Sequence, residues 1–128
     1  MILPDTNVLI AYLNQKEPSF TLIKRVIIEN SLLLSVITVA EVLIKADKKT
    51  VTIMNQLIDH FGISEITKPI MEQAIIFRKE TLQKTTRTHL FDCFIAATAY
   101  RRKATLVTYN KNDYSFQGLV TKSPDELQ

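Results

Sequence analysis

Apolar positions along the chain switch between two spacings, and the switches predict its elements. Ile2-Leu3 is too short a run for anything but a strand, and it meets Pro4 and then Asp5-Thr6-Asn7. Beyond that turn Val8, Leu9, Tyr12 and Leu13 recur at helical spacing, the pattern of a helix with one apolar face. Residues 20–29 repeat it with Leu22, Ile23, Val26 and Ile27. Residues 31–36 are apolar enough for a strand covered on both faces, as parallel strands are. Thr38 is expected to open a helix running to about Lys48, and the next helix, over 51–61, stops at Gly62. A short strand is expected at 63–66. Pro69 starts a long helix to about Leu82, with Ile70, Ala74 and Phe77 facing inward.

Residues 83–88 form a polar, basic loop. Residues 90–100 are nearly all apolar and end in Arg101-Arg102-Lys103, cations that suit a helix C-terminus. A strand at 105–108, a turn-rich loop at 109–114 and a last strand at 119–121 complete the pattern, with a loosely ordered tail from about residue 122. Strands alternating with helices need crossover connections. The expected fold is α/β, a three-layer α/β/α sandwich whose mostly parallel central sheet has four to five strands, within a single domain spanning 1–128.

Composition narrows the class rather than the function. The chain has 128 residues, 46% apolar and 23% charged, which fits a globular chain with a real core and excludes a disordered one. A net charge of +3 is only weak support for a polyanionic partner. The single Cys93 lies in an apolar helical run and forms no internal disulfide, so a reducing compartment is expected. No basic segment precedes the first strand, as one would in a signal peptide. The apolar run around 32–40 is broken by Ser35 and Thr38 and is too short to cross a bilayer. A cytoplasmic protein with no membrane association is the expectation.

The chemistry lies in the acidic residues. Crossover helices run antiparallel to the strands, so helix starts gather at the C-terminal edge of the sheet. Asp5 ends the first strand, Glu41 lies early in the helix after the second, Asp92 opens the helix before the fourth, and Asn110 and Asp113 follow the fourth. Each has a plainer explanation. Asp5 can cap its helix; Thr38-x-x-Glu41 has the form of a capping box; Lys45 is spaced to pair with Glu41. Asp92 is harder to dismiss, since Thr88, His89, Ile95, Ala96 and Ala99 share its face and none is a lysine or arginine. Two carboxylates about 4 Å apart repel by about 4 kcal/mol at an effective dielectric of about 20. Oxygen donors with few soft ligands make a hard ion such as Mg²⁺ or Mn²⁺ the natural counter-charge. His60 and His89 read as ordinary polar residues.

Four motifs carry a resemblance: Asp5-Thr6-Asn7 after a short strand, Thr38-Val39-Ala40-Glu41, the Asp92-Cys93-Phe94-Ile95-Ala96-Ala97 helix, and Val107-Thr108-Tyr109-Asn110 at a strand end. In this order and spacing they resemble a PIN domain over residues 1–121, and in size the chain is similar to the VapC toxins of bacterial toxin–antitoxin pairs. The resemblance implies a Mg²⁺- or Mn²⁺-dependent endoribonuclease, dimeric, acting on RNA and held inactive by a cognate antitoxin. It carries Asp5, Glu41 and Asp92 onto the acidic metal positions and Thr6 and Thr108 onto supporting hydroxyls. A further acidic position falls on the neutral Asn110, where Asp113 can supply the missing charge as a catalytic residue. Lys84, Arg87 and Lys111 are candidates for the RNA backbone, and Tyr109, Tyr114 and Phe116 for stacking on unpaired bases, although packing suits Phe116 better. Two alternatives remain open: a PIN-like binding module without cleavage, which Asn110 favours, and a receiver-like Mg²⁺-binding phospho-acceptor. The latter wants an acidic pair after the first strand and an acceptor Asp after the third, where this chain has Ile66-Thr67-Lys68.

Overall fold

Alternate residues of an extended segment face opposite ways, and here the alternation feeds two cores. Leu3, Leu33 and Leu106 enter one core with Ile70, Ala74 and Phe77. Leu32, Leu34 and Val107 enter the other with Val8, Leu22 and Met54. The computed structural model describes residues 1–84 and 88–127. Its parallel sheet has the order β1 (Ile2–Pro4), β2 (Thr105–Val107), β3 (Thr121–Lys122), with Ile2 opposite Thr105 and Leu106 opposite Thr121. Helices α5 (Lys68–Leu82) and α6 (Leu90–Arg101) cover one face. Helices α1 (Thr6–Leu13), α2 (Ser19–Ile28), α3 (Val36–Ile44) and α4 (Lys48–Phe61) cover the other. None of the described helices is long and apolar enough to cross a membrane.

The three-layer expectation holds, and the sheet is narrower than expected. Residues 31–36 and 63–66 do not form strands; they are joined only by two isolated parallel bridges, Ile2 with Leu32 and Ser35 with Ser64. Pro4 explains the first. Alternate amides of β1 point to the same side, so Ile2 N donates to Ser31 O (2.8 Å) while Asp5 N donates to Val107 O (2.9 Å) on the other side. The next donor toward 31–36 would be residue 4, and proline has no N–H. The ladder stops after one rung. Ser35 then commits the chain to α3, its hydroxyl accepting from Thr38 N at 3.0 Å.

Three further expectations change. Helix α3 ends at Ile44 rather than near Lys48, and α4 starts at Lys48 rather than 51 because the Asp47 side chain caps it, accepting from Thr50 N. The last strand starts at Thr121 rather than 119. The tail is not loose: Pro124–Leu127 forms a 3₁₀ turn, Leu127 packs against the second core, and its carbonyl accepts from Arg25 at 2.5 Å. Glu126 meets both Lys111 and Lys122. Elsewhere the local rules hold, as at Gly62, whose φ of +74° ends α4, a left-handed turn that favours glycine.

Candidate active site

Asp5 is the residue at which β1 becomes α1, and it acts both as a cap and as a pocket wall. Its Oδ1 accepts from Val8 N at 3.0 Å, so the capping explanation is correct as far as it goes. The carboxylate is only 5% exposed. Desolvation pushes its pKa up from 3.8, the Asp92 charge adds to the rise, and hydrogen bonds from Thr108 and the Val8 and Asn7 amides oppose it. Thr108 is fully buried at the end of β2, and its Oγ1 accepts from Asn110 N at 3.0 Å. A hydroxyl has one proton to give, and that proton goes to Asp5.

Glu41 arrives differently from expectation. Ser35, not Thr38, caps α3, so there is no Thr38–Glu41 capping box and Glu41 sits in the second turn. The Thr38 hydroxyl is buried with no hydrogen-bond partner among the described residues. Glu41 is half-buried and takes the Thr6 hydroxyl on Oε1 at 2.5 Å. Lys45 ends the helix and makes no ion pair among the described residues.

Asp92, in the first turn of α6, has both oxygens engaged. Oδ2 accepts from His89 N and Oδ1 accepts from Tyr114 Oη, each at 3.1 Å. Tyr114 is the residue that sequence reasoning missed. Stacking on bases was the expectation, but the ring is buried and its hydroxyl serves Asp92. Burial first, then the charges of Asp92, Asp5 and Glu41, push its pKa far above the ordinary value of 10.0. A phenol that stays protonated is a permanent donor. The remaining signal was its position, directly after Asp113 in the loop leaving β2.

That loop forms a 3₁₀ turn at Lys111–Tyr114, in which Asp113 N bonds Asn110 O at 3.0 Å and the Asp113 carbonyl accepts from Thr88 Oγ1 at 2.8 Å. Asp5, Glu41, Asp92 and Asp113 thus come from four separate stretches and line one cavity of about 190 Å³, with Thr6, Asn7, Asn110 and Tyr114 completing the wall. None of the four is ion-paired with lysine or arginine among the described residues. They do not form a closed cage: among the described residues no three His, Cys, Asp or Glu side chains gather closely enough to hold an ion. The hydrogen bonds from Thr6 and Tyr114 hold Glu41 and Asp92 in place. The donor set fits a hard divalent ion held by one or two carboxylates with water filling its shell, the usual habit of Mg²⁺.

Among the described residues, the basic candidates are not part of this cavity. Lys84 is exposed in the segment after α5, Lys111 is ion-paired with Glu126, and Arg87 lies outside the described residues. Phe116 is buried and stacks on Phe77. His60 pairs with Asn30 at 3.1 Å, far from the acidic group in role.

The family model of the PIN domain matches residues 2–117. Among solved structures, VapBC2 from Rickettsia felis, bound to a DNA fragment from its promoter, aligns with a TM-score of 0.79 and 21% identity, covering 96% of this chain and 98% of that one. FitAB bound to the IR36 DNA fragment aligns at 0.76 and 26%, covering 100% and 98%. A toxin–antitoxin complex from Klebsiella pneumoniae aligns at 0.75 and 26%, covering 97% and 98%. No curated protein matches the sequence.

Proposed function

The chain belongs to the PIN domain family, and from that premise we propose that it is a divalent-metal-dependent endoribonuclease, the toxin of a toxin–antitoxin pair. The observation that carries the reading is a cavity lined by four acidic residues and, among the described residues, by no lysine or arginine. Charges that repel and are partly desolvated ask for a counter-ion, and an oxygen-only donor set selects Mg²⁺ or Mn²⁺.

Asp5 and Asp92 are the residues to hold the ion, directly or through water. When bound, it supplies positive charge for a phosphate and lowers the pKa of a water. Glu41, anchored by Thr6 on one oxygen, has its other oxygen available to orient a water or take its proton. Thr108 fixes Asp5, and Tyr114 fixes Asp92. Asn110 and Asp113 complete the wall, Asp113 supplying a charge that Asn110 lacks. Similarity to toxin–antitoxin complexes supports an antitoxin as protein partner. A homodimer and a cytoplasmic location belong to the same proposal. Asn110 keeps a second reading in view, a PIN-like module that binds without cutting.

Cleavage of structured RNA separates the two. The nuclease reading expects products in Mg²⁺ or Mn²⁺, none in excess chelator, and recovery when the metal is restored. Cleavage indifferent to chelator, or no cleavage with any divalent ion, contradicts it.

A further inference from the structure

We propose that Tyr109, with the amide side chains of Asn110 and Asn112, forms a nucleobase subsite that takes an unpaired base of the strand whose phosphate faces the acidic cavity. The inference rests on the nuclease reading and adds to it what the protein grips besides phosphate. A second cavity of about 430 Å³ opens beside the acidic one and shares Asn110 and Asp113 with it. Tyr109 lines it and is 42% exposed. Its ring is nevertheless anchored, because its hydroxyl is hydrogen-bonded to Ser19, a fully buried residue at the start of α2. A ring held at its far end and open along its side loses little freedom when a base stacks on it. Every base has a π-face, so such stacking tolerates many sequences.

The amides of Asn110 and Asn112 make no side-chain hydrogen bond among the described residues, and each offers two donors and an acceptor to a base edge. Charge favours a base over a second phosphate here. Lys111, the cavity's cation, is ion-paired with Glu126, and Asp113 contributes negative charge. Because the two cavities share a wall, a phosphate in one and a base in the other belong to the same or adjoining nucleotides. A duplex keeps its bases stacked inside, so the subsite fits a single strand or a loop.

The test compares a labelled single-stranded DNA with an abasic strand of the same length, by fluorescence anisotropy in Mn²⁺. Tyr109→Ala is expected to weaken binding of the base-bearing strand roughly 5- to 100-fold, the scale of one lost stacking partner. Tyr109→Phe keeps the ring and is expected to bind like wild type, and all three proteins are expected to treat the abasic strand alike. No measurable binding of the base-bearing strand, wild-type binding by Tyr109→Ala, or an equal loss on the abasic strand overturns the subsite. RNA cleavage by the same proteins keeps the two claims apart. Tyr109-dependent binding without any cleavage sinks the nuclease reading and leaves the subsite; metal-dependent cleavage with Tyr109-independent binding sinks the subsite alone.

Discussion

Asp5→Asn is expected to lower RNA cleavage roughly 10²- to 10³-fold, the usual cost of losing one preorganised charge contact in a transition state, without unfolding the protein. Asparagine caps a helix as well as aspartate, so the bond to Val8 N survives the change. The stability effect has a definite sign. Burial raises the folded pKa of Asp5 above 3.8, so between that value and the raised one the folded state binds more protons than the unfolded state. The stability this gives is fully present below about pH 3.8 and is lost as pH rises through the folded pKa. In chelator at neutral pH the variant should therefore melt no lower than wild type, and its advantage should vanish below about pH 3.8. Thermal melts of both proteins across that range, with cleavage assays at pH 7.5, check both parts. A variant that retains wild-type cleavage, or that melts lower at neutral pH in chelator, contradicts the account of Asp5.

The largest stability effect is expected at Phe77. Its ring is 2% exposed, stacks on Phe116 at 4.2 Å between centroids, and meets the edge of Tyr100 at 5.7 Å. Phe77→Ala removes both contacts and opens a cavity between α5, α6 and the loop that carries Tyr114. Such truncations cost about 3–5 kcal/mol, a large share of the roughly 5–15 kcal/mol that holds a domain folded. The melting temperature should fall by roughly 10–20 °C, taking a few degrees for each kcal/mol. Phe77→Leu refills most of the space and should recover much of the loss. Denaturant unfolding of the two variants measures this, and a Phe77→Ala loss below about 1 kcal/mol contradicts the packing described.

The features legible in the sequence were those that depend on local spacing. Asp5 at a strand end, the inward stripe Ile70-Ala74-Phe77 and the lack of a lysine or arginine at helical spacing from Asp92 could all be read because each needs only its neighbours. What was not legible depends on distant partners. Residues 31–36 have the composition of a buried strand, but whether they pair is decided by Pro4, some thirty residues earlier, which has no amide to offer. The cap of α3 is Ser35 rather than Thr38 because the helix starts where that truncated pairing lets go. Lys111 looked free for RNA until the tail brought Glu126 to it. Tyr114 looked like a stacking residue because nothing in its own segment reveals that its hydroxyl reaches Asp92, 22 residues away in sequence. Membership of the PIN domain family leaves the receiver-like alternative without support.

Manganese uptake at pH 7.5, followed by the loss of the free-ion paramagnetic resonance signal, goes straight to the question of whether this acidic cavity exists to hold a divalent ion. Wild-type protein is expected to take up Mn²⁺ saturably, to release it to excess Mg²⁺, and to lose the site in both Asp5→Asn and Asp92→Asn. Wild type that leaves the Mn²⁺ signal untouched, or variants that bind the ion as wild type does, would contradict the assignment.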